Sequence, residues 1–170
     1  GDPVVEVRRG ERDVGRRVDG RLLLKQALQP LLHAFDVMVI DTPPTLGFWT
    51  QAPLVASTDL LIPVDMGYFA LAGMRQLLDA LARLRQEVPL TLATPHILLT
   101  KVDARTTFSA HVRTHLRERG DAEALHTVIR VNVTLARGQM ARQSIFAYDR
   151  TSRGAQDYQH VVEELLEHRR

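Results

Sequence analysis

The chain has 170 residues and a mass of 19.2 kDa, with 45% apolar and 25% charged residues; this is the size and make-up of one globular domain able to bury a core. The apolar fraction excludes low-complexity disorder, and no apolar run approaches the roughly 20 residues of a bilayer-spanning helix. With no cysteine present, disulfides, thiolate metal sites and cysteine nucleophiles are impossible, and a reducing compartment, the cytoplasm, is the expected home. No positive-then-apolar leader opens the chain, which starts at Gly1 rather than Met and so reads as a processed product or an excised piece.

Contrasting periods alternate along the sequence, the signature of an α/β domain with a mostly parallel sheet flanked by helices. Residues 1–170 read as a single domain, of which 1–20 stay unassigned. Residues 21–34 predict a helix with Leu23, Leu24, Ala27, Leu28, Leu31 and Leu32 on one stripe, despite Pro30. Residues 36–41 (DVMVID) predict a short buried strand ending in a carboxylate, broken by Thr42, Pro43 and Pro44. After a further helical stretch, 59–64 (DLLIPV) predict a second buried strand, and 68–86 a helix with Leu71, Met74, Leu77, Leu78, Leu81 and Leu84 on one side. His96 to Thr100 predict a third strand, and about 106–119 a helix with Phe108, Val112 and Leu116 at four-residue spacing. Thr127 to Val131 are a fourth strand candidate. About 152–168 form the last helix, with Ala155, Tyr158, Val161, Val162, Leu165 and Leu166 on one face.

Charge is unevenly spread. Of 22 basic residues, 20 are arginine, and residues 101–153 carry 10 basic groups against 5 acidic. With His111, His115 and His126 this block is the surface best suited to a polyanion such as nucleic acid, the bland alternative being a solvated helix face. His111 and His115 have the spacing of a zinc pair but lack the intervening glutamate and a third ligand, so a solvated pair is the better reading. Ser109 and Ser152 lie in no Gly-x-Ser-x-Gly elbow and predict no hydrolase. Phe48 and Trp49 suit either a protein contact or core filling. The acidic end Glu163-Glu164-Leu165-Leu166-Glu167-His168 does not suit a basic membrane anchor.

Asp41 carries the most information. Ligands of doubly wound sheets bind beyond the carboxyl ends of the strands, so a strand-terminal Asp stands where a magnesium–phosphate group would sit, although such an Asp is also a common turn or cap residue. The run from Phe35 to Leu78, with Asp41-Thr42-Pro43-Pro44, Leu46-Gly47, Leu61-Ile62-Pro63-Val64 and Tyr68-Phe69-Ala70-Leu71-Ala72-Gly73, resembles the ParA/Soj family of DNA-partition ATPases. Leu99-Thr100-Lys101-Val102-Asp103-Ala104-Arg105-Thr106, Thr127-Val128-Ile129, Asn132-Val133, Tyr148-Asp149 and Ser152-Arg153-Gly154-Ala155 continue the resemblance in order, from about Arg21 to the C terminus.

The resemblance implies a P-loop NTPase fold of the ParA/MinD-like type and a deviant-Walker ATPase that uses Mg²⁺ and ATP. Such a protein forms a homodimer around ATP, binds DNA without sequence preference, is stimulated by a ParB-type partner and works in plasmid or chromosome partition. It implies a cytoplasmic, nucleoid-associated protein with no membrane attachment. Asp41 matches the Walker B acid that holds Mg²⁺ through water, with Thr42, Pro43 and Pro44 shaping its loop. Thr100, Asp103 and Asn132 match base-side nucleotide positions. Arg105, Arg130, Arg137 and Arg153 fall on or near the family's DNA-binding surface.

The sequence also departs from the family. The family's Gly-rich loop with two lysines has no counterpart here, since neither Lys25 nor Lys101 follows a glycine; the nearest imitation, Gly10 to Arg17, lacks the lysine and the Ser/Thr ligand and reads as an ordinary loop. The chain therefore matches the C-terminal two-thirds of such a protein, without the N-terminal phosphate-loop β-α unit, and alone is expected to be inactive. Thr134 stands where a second DNA-contacting arginine is usual, and Pro53 interrupts a helix that normally runs unbroken. Two alternatives follow: a degenerate DNA- or protein-binding adaptor without ATPase activity, and a ParA-like protein that positions a non-DNA cargo.

Overall fold

The structure is a computed structural model that describes residues 19–43, 47–65, 68–103 and 108–168. Its centre is a three-stranded parallel sheet in the order β1 (Leu61–Asp65), β2 (His96–Thr100), β3 (Glu123–Ala124). The register pairs Leu61 with His96 and Asp65 with Thr100, and His96 with Glu123. Helices α1 (Leu23–Leu28) and α2 (Phe48–Ala56) precede β1, α3 (Tyr68–Glu87) links β1 to β2, and α4 (Phe108–Arg119) links β2 to β3. Helices α5 (Val133–Met140), α6 (Ile145–Tyr148) and α7 (Arg153–Glu167) complete the chain.

Alternation along the strands decides which helices cover which face. Ile97 and Leu99 of β2 are fully buried with Ile62, Val64, Met74, Leu78, Val112 and Leu116, which places α3 and α4 on one face. Leu98 packs with Leu125, Ile129 and Val161 on the other face, beneath α7. A strand covered on both sides must be apolar throughout, which is why HILLT reads as a buried strand in sequence. The stripe expected on α3 forms as spaced: Met74 and Leu78 join the sheet core, and Leu81 and Leu84 close a second cluster with Leu54, Val55, Val88 and Leu92.

Four local expectations need correction. The helix expected over 21–34 is a turn of 3-10 helix at Gly20–Leu22, then α1, then another 3-10 turn at Gln29–Leu31. Pro30 has no N–H to return to the preceding turn, so the α-helix stops before it. By contrast α2 continues through Pro53, which is buried with Thr50, Ala52, Leu54 and Val55; one lost N–H bond is offset there by packing.

The strand expected over 36–41 is irregular chain with no ladder partner among the described residues, and Val39 is 91% exposed. An apolar run becomes a strand only when a neighbour accepts its backbone bonds, and β1 is not that neighbour. Because His96 N donates to Leu60 O, residues 60, 62 and 64 face β2, while Leu61, Pro63 and Asp65 face an edge with no strand beside it among the described residues.

The last strand begins earlier than the expected 127–131. Glu123 N and Leu125 N donate to Pro95 O and Ile97 O, the chain steps out over 126–128, and Ile129 N returns to Leu99 O, with an isolated bridge joining Val102 to Arg130. The step leaves two N–H groups without ladder partners. Glu164 of α7 takes both: His126 N and Thr127 N donate to its carboxylate at 2.6 and 2.8 Å. Partial burial pulls the Glu164 pKa up, but the hydrogen bonds from Thr127 and His126 outweigh it, so it lies below the ordinary 4.5.

A folded-state value below the unfolded one means a contribution that is present above the unfolded value and lost as pH falls through the folded one. Glu164→Gln is therefore expected to cost about 1 kcal/mol near neutrality. The gap from the parent should close below pH 4.5, as urea unfolding near neutral pH and at about pH 3 would record.

Candidate functional site

In a parallel sheet every strand delivers its last residue to the same rim, and that rim gathers three of the expected nucleotide-side residues, Thr100, Asp103 and Asn132. Asp65 ends β1 and Thr100 ends β2, side by side in register. Lys101 follows in the left-handed region, φ 52°, a conformation that costs a non-glycine residue about 1 kcal/mol or more. The turn sends its ammonium group back to Asp65, Nζ to Oδ2 2.6 Å.

Asp103 is exposed immediately beyond. Val131 N donates to Val102 O at 3.1 Å, which brings Asn132 to the same rim. Asn132 caps α5, its Oδ1 accepting from Thr134 N at 2.7 Å, so only its amide nitrogen faces outward duties. Thr100, Asp103 and Asn132 are thus brought together by β2 and the chain that follows β3.

Asp41 comes to its place by a different route. It ends the apolar run 36–41, is exposed, and has no hydrogen bond or ion pair to its carboxylate among the described residues. Thr42 and Pro43 follow it, also exposed, and Thr50 Oγ1 donates to Pro43 O at 3.4 Å, tying this loop to the first turn of α2. Pro44, Arg105 and the 10–17 segment lie outside the described residues. An exposed carboxylate with no protein partner is a hard oxygen donor of the kind Mg²⁺ takes with its waters, so the residues present fit that ion.

The arginines divide into two groups. Arg119 pairs with Asp79 and Asp121, and Arg21 with Asp19 and Glu87; these are structural. Arg130 is similarly engaged. Its guanidinium pairs with Asp157 of α7, Nε to Oδ1 3.1 Å, and its backbone N–H donates to Asp157 Oδ2 at 3.0 Å. The hydrogen bond to Asp157 raises the Arg130 pKa further above its already high value. The pair lies too far apart in sequence to be read there, and its only prior signal was a carboxylate on the buried side of a helix.

Arg137 and Arg153 are exposed and have no ion pair among the described residues. Arg137 lies in α5, Arg142 just after it, Arg150 between α6 and α7 and Arg153 at the start of α7; all four are exposed, and α6 contacts both α5 and α7. Arg153 occupies the first turn of α7, capped by Ser152, whose Oγ accepts from Ala155 N at 3.2 Å. A cation is mildly unfavourable at this positive helix end, and together they make a local field that favours an anion.

The remaining sequence signals take plain roles. Arg75 Nε donates to His115 Nε2 at 3.0 Å, which occupies that nitrogen. Ser152 is a helix cap. Phe48 and Trp49 meet edge to face, centroids 5.5 Å apart, and both are exposed. No helix among the described residues is long and apolar enough to cross a membrane.

Comparison with known proteins joins these parts. The profile of the AAA_31 family, an AAA domain, matches residues 7–94. The chain is 34% identical over 142 residues to the sporulation initiation inhibitor protein Soj of Bacillus subtilis, covering 84% of this chain and 56% of that protein. It is 32% identical over 143 residues to the chromosome partitioning protein ParA of Myxococcus xanthus, covering 84% and 50%.

Among solved structures, cobyrinic acid a,c-diamide synthase of Mycobacterium smegmatis with bound ADP and magnesium superposes with a TM-score of 0.67 at 30% identity, over 89% of this chain and 55% of that one. A plasmid partition protein of Borrelia burgdorferi shares the fold, TM-score 0.58 at 17% identity, over 89% and 56%. The chain spans about half the length of the curated relatives it matches.

Proposed function

We propose, because this chain belongs to the ParA/Soj family of P-loop ATPases, that it supplies the Walker B side and the DNA-facing side of an ATP-driven partition protein. The observation that carries the proposal is Asp41: an exposed carboxylate with no partner among the described residues, at the end of an apolar run, in a loop tied to α2 through Thr50 and Pro43. In the protein as the cell makes it, Asp41 would hold Mg²⁺ through water, and Thr42, Pro43 and, by the family's motif, Pro44 would shape the loop. Thr100, Asp103 and Asn132 line the base side. The bound nucleotide supplies the phosphoryl group and its metal, and these residues position and stabilise charge rather than form bonds.

Among the described residues, the outer edge of β1 and the run 36–41 each lack a neighbouring strand. The DNA side is carried by the exposed arginines of the α5 to α7 segment, Arg137 and Arg153 first, and, by its match to the family's motif, by Arg105. ATP-dependent homodimerisation, stimulation by a ParB-type partner and a cytoplasmic, nucleoid-associated life complete the reading.

Calorimetry of Mg-ATP binding to the protein as made in the cell tests it. Binding should weaken at least about tenfold in Asp41→Ala, the loss typical when a group behind the metal's ligands is removed. Equal affinities in parent and variant would remove Asp41 from the site.

A further inference from the structure

A second cluster of donor groups lies at the opposite rim of the sheet, where the strands begin. His96 opens β2 and Glu123 opens β3, and the two are direct partners in the parallel register. With Leu98 against α7, the even-numbered residues of β2 face that helix, so His96 and Glu123 stand beneath the end of α7, where His168 is its C-cap. One donor atom from each of His96, Glu123 and His168 lies within 4.8 Å of the other two. The two imidazoles meet edge to face at 4.9 Å between centroids.

Two independent observations turn this proximity into a site. His96 is 8% exposed, and its Nδ1 is fully buried without a hydrogen-bond partner among the described residues. An orphaned buried nitrogen is costly in a well-packed protein and is the kind of atom that a metal ion satisfies. His168 is already oriented as a ligand. Its Nδ1 lies 2.7 Å from Glu164 O, and because a carbonyl can only accept, Nδ1 is the donor and Nε2 is the nitrogen left for an ion. Histidine ligands are held in this way, the far N–H given to a backbone carbonyl.

We propose that His96, Glu123 and His168 form a binding site for a zinc-class divalent ion, which clips the end of α7 to the first residues of β2 and β3. Two imidazoles and one carboxylate suit Zn²⁺ and its soft neighbours, whereas Mg²⁺ prefers oxygen alone. Bonds of about 2.0–2.2 Å to a tetrahedral ion bring the donor atoms to about 3.3 Å of one another. The exposed side chains of Glu123 and His168 close that gap by rotamer changes while His96 stays fixed in the core. The fourth position is open to water. The site lies about 13 Å along β2 from Thr100, the rise of four strand residues, so it is separate from the nucleotide-side rim.

Competition for Zn²⁺ against a chromophoric chelator, with the 170-residue chain, tests the proposal. One equivalent should bind, thermal unfolding should shift upward with Zn²⁺ and not with Mg²⁺, and amide exchange at the end of α7 should slow. His168→Ala and Glu123→Gln, both at exposed positions, should each weaken binding at least about tenfold while leaving the metal-free unfolding transition in place. Absence of Zn²⁺ binding, or undiminished binding in both variants, as when other imidazoles of the chain hold the ion, would overturn it.

Discussion

Asp41→Ala is expected to lower Mg²⁺-dependent ATP hydrolysis, by the protein as made in the cell, at least about 100-fold. Such a loss corresponds to about 2.7 kcal/mol of transition-state stabilisation, the scale on which one well-placed electrostatic group contributes. The carboxylate is exposed and bonded to no described side chain, so its removal opens no cavity and breaks no structural pair. The thermal transition of the variant should therefore match that of the parent, which separates a lost catalytic group from a lost fold. Asp41→Asn should fare little better, because an amide keeps the shape and loses the charge that orders the waters of a cation. A hydrolysis rate within a few-fold of the parent would leave Asp41 as the turn residue that its position alone allows.

The second large effect concerns stability. Arg130→Ala should destabilise the fold by about 3 kcal/mol, at the lower end of what breaking a buried ion pair costs. Asp157 is 3% exposed, and without the guanidinium it keeps only the bond from Arg130 N. The arginine itself is 44% exposed at the side chain, so part of the charge on that side is already solvated, which sets the value low in the range. For a chain of this length the loss amounts to a fall of about 6–12 °C in Tm. Arg130→Lys should recover only part of it, since a single ammonium cannot replace the fork that serves Asp157. A fall of less than about 1 kcal/mol would mean that solvent screens the pair as it does a surface pair, and that Arg130 is available to DNA.

The Arg130–Asp157 pair also shows where a sequence is readable and where it is not. Local periodicity carried β2, α3, α4 and α7, because each hides a continuous stripe and 3.6- or 2-residue repetition is a property of the segment itself. Caps were equally local: Ser152 and Asn132 do at the helix starts what their residue types favour. Strand pairing is not local. The run 36–41 has every strand signal and no described neighbour, and the last strand starts at a glutamate rather than at the β-branched Thr127, because register with β2 outweighs intrinsic preference.

The site divides in the same way. Asp41, Thr100, Asp103 and Asn132 were legible as motif positions, and the sheet explains how the last three reach one rim. Arg130 was legible only as a positive charge, and its partner Asp157 enters from another element. His96, Glu123 and His168 share no sequence neighbourhood, and only the register of β2 with β3 and the length of α7 bring them together.

The central claim is that nucleotide and DNA are coupled through this fold, and DNA affinity with and without Mg-ATP tests it most directly. Binding of the protein as made in the cell to duplexes of unrelated sequence should tighten about tenfold or more with Mg-ATP, fall steeply with salt, and weaken in Arg137→Ala and Arg153→Ala. DNA binding of the same strength with and without Mg-ATP would contradict the account and leave an adaptor that holds DNA without a nucleotide switch.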